Sequence, residues 1–220
     1  MNAPSTDAPV PAHEAVYRAL RSQILDGELA PGASLTLRGV AERLGVSMTP
    51  AREAVRRLVA ERALAMTDTG RVQVPLPDAD ALDELFRARS LLEPELAVRA
   101  LPRIDKALIS QLRAIDERLG SCLEAGDAAG YVRANNAFHG LLYSRAEAPA
   151  LMALVESVWL QTSPVMRRVY GRTGTGALVD YHEAALDALA ARDAEALAAA
   201  IRSDVEQGMM LAREAAPPGR

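Results

Sequence analysis

Residues 44–58 have the sequence LGVSMTPAREAVRRL, in which a glycine separates two short amphipathic segments. Gly45 follows residues 37–44, where apolar side chains recur on one side of a helix. Glycine readily adopts the left-handed backbone that ends a helix. We therefore predict a short helix over 37–44 that stops at Gly45. Its inward-facing residues are Val40, Ala41 and Leu44.

A second helix is expected directly after this turn, from Pro50 to about Ala63. Ser47 or Thr49 can cap it, because a hydroxyl oxygen accepts a hydrogen bond from an unpaired amide of the first turn. Pro50 suits that turn because it lacks an amide proton. The inward residues of this helix are Ala54, Val55, Leu58 and Val59, and the outward ones are Arg52, Arg56 and Arg57. Two helices joined in this way form a helix-turn-helix, whose second helix can enter the major groove of DNA.

The flanking segments extend this motif to a winged helix. Upstream, residues 13–26 repeat apolar residues at helical spacing. Downstream, residues 64–67 and 71–74 are typical of strands, and a turn at 68–70 connects them. Three helices followed by a β-hairpin is the element order of a winged helix. Pro75 ends the unit because proline cannot extend a sheet.

The remainder of the chain is predicted to be helical. Aromatic residues make up only 4% of the sequence, so aliphatic residues must form the core, which suits packed helices. The six predicted helices span residues 78–101, 104–125, 127–146, 148–170, 177–191 and 193–214. The predicted fold class is mainly α, with a winged helix-turn-helix domain and an all-α bundle. The predicted boundaries are 12–75 for the first domain, 76–214 for the second, and 1–11 and 215–220 for disordered tails.

The charge distribution is uneven, although the net charge is only −4. Residues 1–75 contain nine Arg and eight acidic residues, whereas the rest of the chain contains 16 basic and 21 acidic residues. A relatively basic N-terminal part fits a local contact with nucleic acid better than a protein that coats it. The sequence shows no signal peptide and no apolar stretch long enough to cross a membrane, so we expect a cytoplasmic protein without a membrane partner.

Several residues of the winged helix suit contacts with DNA. Arginines near the start of the second helix can reach base edges or phosphate. Hydroxyls and amides at the start of that helix can bind phosphate, and the hairpin tip can enter the neighbouring groove. The candidate contacts are Ser47, Thr49, Arg52, Arg56, Gly70 and Arg71. An exposed arginine face is also compatible with a bundle that binds no DNA, or with a winged helix that binds protein.

The stretch from 24 to 74 resembles the DNA-binding domain of the GntR family of bacterial regulators. The resemblance rests on ILDGELAPG at 24–32 and on the segment 44–58 quoted above. It implies DNA binding, with four residues at positions that contact DNA. These are Arg38, Thr49, Arg52 and Gly70. The sequence departs from the family where Met48 replaces a frequent DNA-contacting arginine, and where ERAL at 61–64 replaces the usual Glu-Gly-Leu.

Residues 78–214 resemble the helical effector domain called FCD, which one GntR subfamily carries. The resemblance rests on ELFRARSLLEP at 84–94, on NAFH at 136–139, and on His182 with Asp193 eleven residues on. It implies a domain that binds a small molecule and controls operator affinity. Six helices rather than seven indicate the shorter, VanR-like form of this domain.

Four side chains of the predicted bundle are candidate metal ligands. Asn135 and His139 are four residues apart, so they share one side of a helix. His182 and Asp204 lie on consecutive antiparallel helices and can meet across the bundle. Two imidazoles, a carboxylate and an amide oxygen suit a divalent transition metal such as Zn²⁺, Ni²⁺ or Mn²⁺. A histidine in a helix is more often a packed or surface residue, so that alternative stays open.

The FCD resemblance implies a usual ligand set of one Asp or Asn with three His. Asn135, His139 and His182 match this set, but Asp204 stands at the third His position. A carboxylate at that position makes the site harder than one with three imidazoles. The metal of this chain can therefore differ from the usual one, exchange readily or be absent.

Arg89 is a candidate to bind a carboxylate effector, because a guanidinium group matches a carboxylate in a bidentate manner. The alternative is an ion pair with Glu93, four residues on. A homodimer would place two recognition helices on a pseudo-palindromic operator, and effector binding would loosen the DNA, as in a repressor. The rival function is a metal-dependent enzyme. No general base or nucleophile accompanies the pocket residues, so we expect no catalytic activity.

Overall fold

The computed structural model describes residues 10–67, 70–173, 179 and 181–215. Within them, the predicted fold class is confirmed: a winged helix-turn-helix precedes a bundle of six helices. The helices are α1 (Ala12–Leu25), α2 (Leu37–Leu44), α3 (Met48–Ala60), α4 (Ala79–Ala100), α5 (Lys106–Ala125), α6 (Ala128–Tyr143), α7 (Pro149–Thr173), α8 (Tyr181–Ala191) and α9 (Ala194–Ala215). The strands are β1 (Ser34–Leu35), β2 (Ala65–Met66) and β3 (Val72–Gln73). Most of the two predicted tails, and the hairpin tip at 68–69, lie outside the described residues.

The turn between α2 and α3 forms as the glycine predicts. The hydroxyl of Thr36 accepts a hydrogen bond from the Gly39 amide at 3.0 Å and so caps the start of α2. Gly45 ends α2 with a φ of 65°, in the left-handed region that favours glycine. The second helix of the motif therefore leaves the first at a sharp turn.

Both ends of α3 differ from the prediction. The helix begins at Met48, two residues early. Ser47 occupies the capping position, but the predicted cap is wrong, because its hydroxyl accepts no hydrogen bond from the first turn and Thr49 already lies inside the helix. It ends at Ala60, three residues early, because Arg62 adopts a left-handed backbone with a φ of 59°. The residues that follow turn directly into the first strand of the hairpin.

The predicted hairpin is part of a three-stranded sheet with the order β1-β3-β2. Both strands of the hairpin are shorter than predicted, and both neighbours of β3 pair with it in the antiparallel sense. The strand β1 is absent from the prediction, because two residues are too few to show an alternating pattern. It is held in place by backbone hydrogen bonds that join Gly32 and Ala33 to Val74.

One apolar cluster fills the winged helix. It contains residues of α1, α2, α3, β3 and the adjoining loops: Val16, Tyr17, Leu20, Ile24, Leu29, Val40, Ala41, Ala51, Ala54, Val55, Leu58, Ala63, Leu64, Val72 and Val74. Leu160 of α7 is also buried in this cluster. The core of the winged helix thus continues onto the surface of the bundle.

Aspartate side chains cap four of the bundle helices by accepting hydrogen bonds from amides of the first turn. These are Asp78, Asp105, Asp127 and Asp193. The predicted boundaries hold to within a few residues, but α6 ends at Tyr143 rather than near 146, and α7 continues to Thr173 rather than 170. The start predicted for α8, at residue 177, lies outside the described residues. Within the described residues, α8 begins at Tyr181.

Two apolar clusters fill the bundle, a large one that joins all six helices and a smaller one between α4, α7 and α9. The polar residues of the candidate site lie among these clusters. Within the described ranges, no helix combines the length and the hydrophobicity that crossing a membrane requires.

Candidate metal centre and DNA-binding surface

Three helices bring a carboxylate and two imidazoles together in the bundle. His139 of α6, His182 of α8 and Asp204 of α9 offer donor atoms that all lie within 4.8 Å of one another. The Nε2 atom of His139 is 3.3 Å from Nε2 of His182 and 3.1 Å from an Asp204 oxygen. Both histidines are almost fully buried, with exposed fractions of 0% and 3%. Charged or polar groups at this depth need partners, because water cannot solvate them.

The orientation of His182 is set by Asp116 on α5. The Nδ1 atom of His182 lies 3.2 Å from the Asp116 carboxylate, which can only accept a hydrogen bond when ionised. His182 therefore carries a proton on Nδ1. In the neutral imidazole this leaves a lone pair on Nε2, the atom that faces His139 and Asp204.

The orientation of His139 is set by Tyr143, one turn further along α6. Nδ1 of His139 lies 3.0 Å from the Tyr143 hydroxyl, and that hydroxyl donates its single proton to Glu93 at 3.0 Å. The tyrosine oxygen must then accept a proton from Nδ1 of His139. The neutral form of His139 consequently also carries a lone pair on Nε2.

With both imidazoles neutral, the two Nε2 atoms and a carboxylate oxygen of Asp204 converge without a proton between them. Either a second proton on His139, shared with Asp204, or a bound cation removes the repulsion. The charge balance favours a divalent cation, because among the described residues of the site the carboxylates of Glu93, Asp116 and Asp204 outnumber the one guanidinium group, that of Arg89. The spacing fits as well, since metal–nitrogen bonds of about 2.0–2.1 Å in a tetrahedral zinc site hold the ligand atoms about 3.3 Å apart.

Asp204 is ionised at neutral pH. Burial alone would raise its pKa. In the state without a metal, in which His139 donates a second proton to Asp204, that hydrogen bond and the positive charges of His182, His139 and Arg89 outweigh burial and lower the pKa to about 2. An ionised carboxylate is the form that binds a metal ion. The position where the FCD resemblance implies a third histidine therefore still offers a competent donor.

Asn135, the fourth predicted ligand, lies beside this group and lines a small cavity with Asp204 and Arg89. The volume of the cavity is about 20 Å³, which is room for about one water molecule. The remaining lining residues are Val132, Asn136, Trp159, Thr162, Ser163, Met166, Tyr170 and Gly208. More than half of the lining side chains are polar, which suits a polar ligand.

Arg89 forms the ion pair that the sequence left as the alternative. Its Nε donates to Glu93 at 2.5 Å, and both residues are buried. Burial would lower the pKa of Arg89, but the charge of Glu93 and its hydrogen bond outweigh this and raise it. Burial would raise the pKa of Glu93, and the charges of Arg89 and His139 lower it instead. Because Arg89 also lines the cavity, its guanidinium group borders the space that a bound carboxylate would occupy.

Three partners of this site were not predicted from the sequence. These are Asp116, which contacts His182, Tyr143, which contacts His139, and Glu93, which accepts hydrogen bonds from Tyr143 and Trp159 as well as from Arg89. A signal was present for two of them. Asp116 lies four residues after the buried Leu112, and Glu93 lies on the same buried stripe of α4 as Phe86 and Arg89. A carboxylate at a position that helical spacing directs into the core indicates a buried partner.

The predicted DNA contacts on α2 and α3 are all exposed. Ser47, Thr49, Arg52 and Arg56 are all exposed, and Ser47 makes no side-chain capping bond that would occupy its hydroxyl. Arg38 is exposed too and pairs with Glu42 at 2.7 Å. Gly70, with a φ of 74°, and Arg71 are exposed at the end of the hairpin.

Arg57 is half exposed, which agrees with its predicted outward position, but its side chain lies against α1. Its guanidinium carbon lies 3.6 Å above the ring of Tyr17 on α1, and its nitrogens bind Glu14 at 3.0 Å and Glu61 at 3.1 Å. The side chain of Arg57 therefore helps to hold α1 against α3.

Comparison with known proteins decides the family. The family model described as "Bacterial regulatory proteins, gntR family" matches residues 12–74, and the model described as "FCD domain" matches residues 84–207. The second match alone covers more than half of the chain. The chain belongs to the GntR family and carries an FCD domain.

Its relatives are transcriptional regulators. The chain is 31% identical over 179 residues to the HTH-type transcriptional regulator McbR of Escherichia coli, which covers 80% of this chain and 81% of McbR. A solved structure of E. coli McbR/YncC aligns with a TM-score of 0.86 at 29% identity, covering 94% of this chain and 99% of the other. A GntR regulator from Rhodococcus sp. RHA1 aligns with a TM-score of 0.77 at 25% identity, covering 93% and 99%. The gluconate operon transcriptional repressor of Bacillus subtilis is 26% identical over 148 residues, covering 67% of this chain and 58% of that protein.

These matches exclude the rival function of an enzyme. The chain is a DNA-binding transcriptional regulator of the GntR family, with an effector-binding FCD domain. The resemblances drawn from 24–74 and from 78–214 are thereby confirmed at the level of the family.

Proposed function

We propose that this regulator is a repressor whose operator affinity responds to a small carboxylate, bound beside a divalent transition metal in the helical domain. The observation that carries the proposal is the convergence of His139, His182 and Asp204. Each imidazole is held by its other nitrogen so that Nε2 faces the common centre. A histidine that binds a metal almost always donates its other ring N–H to a partner of this kind.

His139, His182 and Asp204 would hold the metal, and Asn135 would supply a further oxygen donor. Zn²⁺, Ni²⁺ or Mn²⁺ bound there would offer a Lewis-acidic position to the oxygens of a carboxylate. The mixed nitrogen and oxygen donors, with no thiolate, suit these three ions better than a soft metal such as Cu⁺.

Arg89 supports a carboxylate as the effector. It lines the cavity next to Asp204, and Glu93 already holds its Nε, so the guanidinium plane is fixed. A fixed guanidinium loses less conformational freedom when it binds a carboxylate. Because the cavity holds only about 20 Å³, the effector must displace lining side chains as it enters.

The surface of α2, α3 and the hairpin would bind the operator. Its proposed contacts are Arg38, Ser47, Thr49, Arg52, Arg56, Gly70 and Arg71. The proposed assembly is a homodimer with one winged helix, over 12–75, on each half of a pseudo-palindromic operator, and one effector-binding bundle, over 76–214, in each chain. A regulator of chromosomal genes in a bacterium acts in the cytoplasm. The six helices of the bundle fit the shorter, VanR-like form.

The test begins with operator DNA selected from a random pool by the full-length chain, followed by footprinting. We expect two protected half-sites with centres about 10 base pairs apart. The footprint is then measured with Zn²⁺ and a panel of small dicarboxylates and tricarboxylates. At least one carboxylate should weaken operator binding, and a chelator should abolish its effect.

Each arm of this test can contradict a different part of the proposal. A chain that selects no sequence contradicts operator binding. A footprint that no carboxylate changes contradicts the effector class, and a carboxylate that strengthens the footprint contradicts the role of a repressor. A carboxylate response that persists after removal of the metal contradicts the metal's part in effector binding.

A further inference from the structure

Two side chains of the bundle hold the end of α1 in the winged helix. The amide nitrogen of Asn136, on α6, donates to the carbonyl oxygen of Leu25 at 2.8 Å. The Nη1 atom of Arg167, on α7, donates to the carbonyl oxygen of Gly27 at 2.8 Å. The carbonyl of Leu25, the last residue of α1, has no intrahelical amide partner, so Asn136 supplies a hydrogen bond that α1 cannot make itself. Gly27 lies in the turn that follows the helix.

The two contacts differ in what surrounds them. Asn136 lines the same cavity as Arg89 and Asp204, and the proposed ligands Asn135 and His139 lie on either side of it along α6. Its amide nitrogen also lies 3.4 Å from the hydroxyl of Ser163, which lines the cavity as well. Within the described residues, the lining of the cavity does not include Arg167.

The end of α1 is in turn fixed to the recognition helix. Leu20 and Ile24 of α1 are fully buried against the apolar residues of α3. On the same face of α1, the Tyr17 hydroxyl donates to Glu61 at 2.9 Å, next to the end of α3. Interdigitated side chains transmit displacements because packed interiors have few voids. A shift of α1 relative to the bundle must therefore move α3.

We propose that Asn136 is the residue through which occupancy of the metal and effector site reaches the winged helix. When a bound metal fixes Asn135 and His139, the turn of α6 between them is fixed too, and Asn136 holds the carbonyl of Leu25. When a molecule larger than water enters the cavity, Asn136 is among the side chains that must give way, and Leu25 is released. Arg167 is a permanent attachment that does not respond to the cavity. This inference rests on the proposed function, because it assumes that the site is occupied by a metal and an effector.

Amide hydrogen exchange of residues 24–29 in the full-length chain tests the inference, with Zn²⁺ alone as the probe. Opening of this segment breaks both attachments, so its exchange rate reports on them. In the wild type, we expect Zn²⁺ to slow exchange by about five-fold, the factor that one net hydrogen bond contributes to an opening equilibrium. The number of zinc ions bound per chain is measured in the same samples.

Two variants separate the two attachments. Asn136→Leu should bind Zn²⁺ as the wild type does, yet exchange of residues 24–29 should no longer depend on Zn²⁺. Asn136→Ser is the second variant if the leucine unfolds the chain. Arg167→Met is the matched control: it also loses a hydrogen bond to this segment, so its exchange should be faster, but the response to Zn²⁺ should persist.

The inference is overturned if Asn136→Leu keeps the wild-type response, or if Arg167→Met loses it equally. A wild type that binds one Zn²⁺ per chain without any change at residues 24–29 overturns this inference and leaves the proposed metal site standing. A wild type that takes up no Zn²⁺ overturns the metal site, and the inference with it.

Discussion

The carboxylate of Asp116 determines which nitrogen of His182 faces the proposed metal site. His182 could present either ring nitrogen to the centre of the bundle, and Asp116 selects Nε2 by accepting the proton of Nδ1 at 3.2 Å. A carboxylate in this position also raises the basicity of the imidazole that it contacts. Asp116 is therefore a positioning residue of the proposed metal site, although it need not touch the metal.

Replacing Asp116 tests that role. Asp116→Ala should weaken Zn²⁺ binding by about 10–100-fold, the usual effect of removing the partner of a ligating histidine. The affinity is measured by competition with a chromogenic chelator. Glu117→Ala removes an exposed carboxylate next to it on α5 and should change nothing. Equal effects of the two substitutions would mean that only the overall charge matters.

Arg89 neutralises the buried carboxylate of Glu93, in addition to its proposed contact with the effector. A second substitution, at Glu93, separates these two roles. Arg89→Met leaves the carboxylate of Glu93 fully buried without a cation, and should lower the free energy of unfolding by about 3 kcal/mol. Adding Glu93→Gln should restore much of this loss. Arg99→Met breaks an exposed pair with Glu95 on the same helix, and should cost less than about 1 kcal/mol.

Urea unfolding of the metal-free proteins measures these differences. A loss for Arg89→Met no larger than that for Arg99→Met would contradict the account of the buried pair. The restored double variant can then be assayed for its response to carboxylates, because its fold no longer depends on Arg89.

At the scale of elements, α3 has two sides with different roles: one carries proposed DNA contacts, and the other packs against α1. Arg52 and Arg56 are exposed on the outer face, whereas Arg57 lies over Tyr17 and between two glutamates of the winged helix. Helical spacing placed all three arginines on the exposed side, where they are, but it could not show the contacts of Arg57 with Tyr17 and the two glutamates. The distinction depends on α1, whose position against α3 is a tertiary contact.

The two faces predict different outcomes for two similar substitutions. Arg52→Ala should weaken binding of the selected operator by about 1–3 kcal/mol, with little effect on stability. Arg57→Ala should lower the free energy of unfolding and leave the sequence preference unchanged. Titration of labelled operator at fixed salt, together with thermal unfolding, separates the two. An Arg52→Ala protein with the wild-type footprint would remove Arg52 from the proposed interface.

At the scale of the whole molecule, the sequence predicted the features that neighbouring residues determine, such as helix positions and helix ends. Gly45, the capping aspartates and the apolar spacing fixed nearly every helix, and the spacing of Asn135 with His139 placed both on one helix face. The pairing of β1 with β3 was beyond reach, because two-residue strands carry no pattern of their own. The partners of the histidines were also missed, since Asp116 lies 66 residues from His182 and Glu93 lies 50 residues from Tyr143. Only packing of the helices brings such residues together.

The central claim is that this regulator holds a metal in its helical domain. Elemental analysis of untagged full-length chain, purified without chelators, tests it most directly. We expect about one zinc, nickel or manganese ion per chain, absent from His139→Ala and from His182→Ala, as for a site in which each residue is a ligand. A wild-type chain that contains no transition metal, even after reloading with Zn²⁺, Ni²⁺ and Mn²⁺, would contradict the claim. His139, His182 and Asp204 would then be joined by a proton instead, and the effector would have to be bound by Arg89 and the other lining side chains alone.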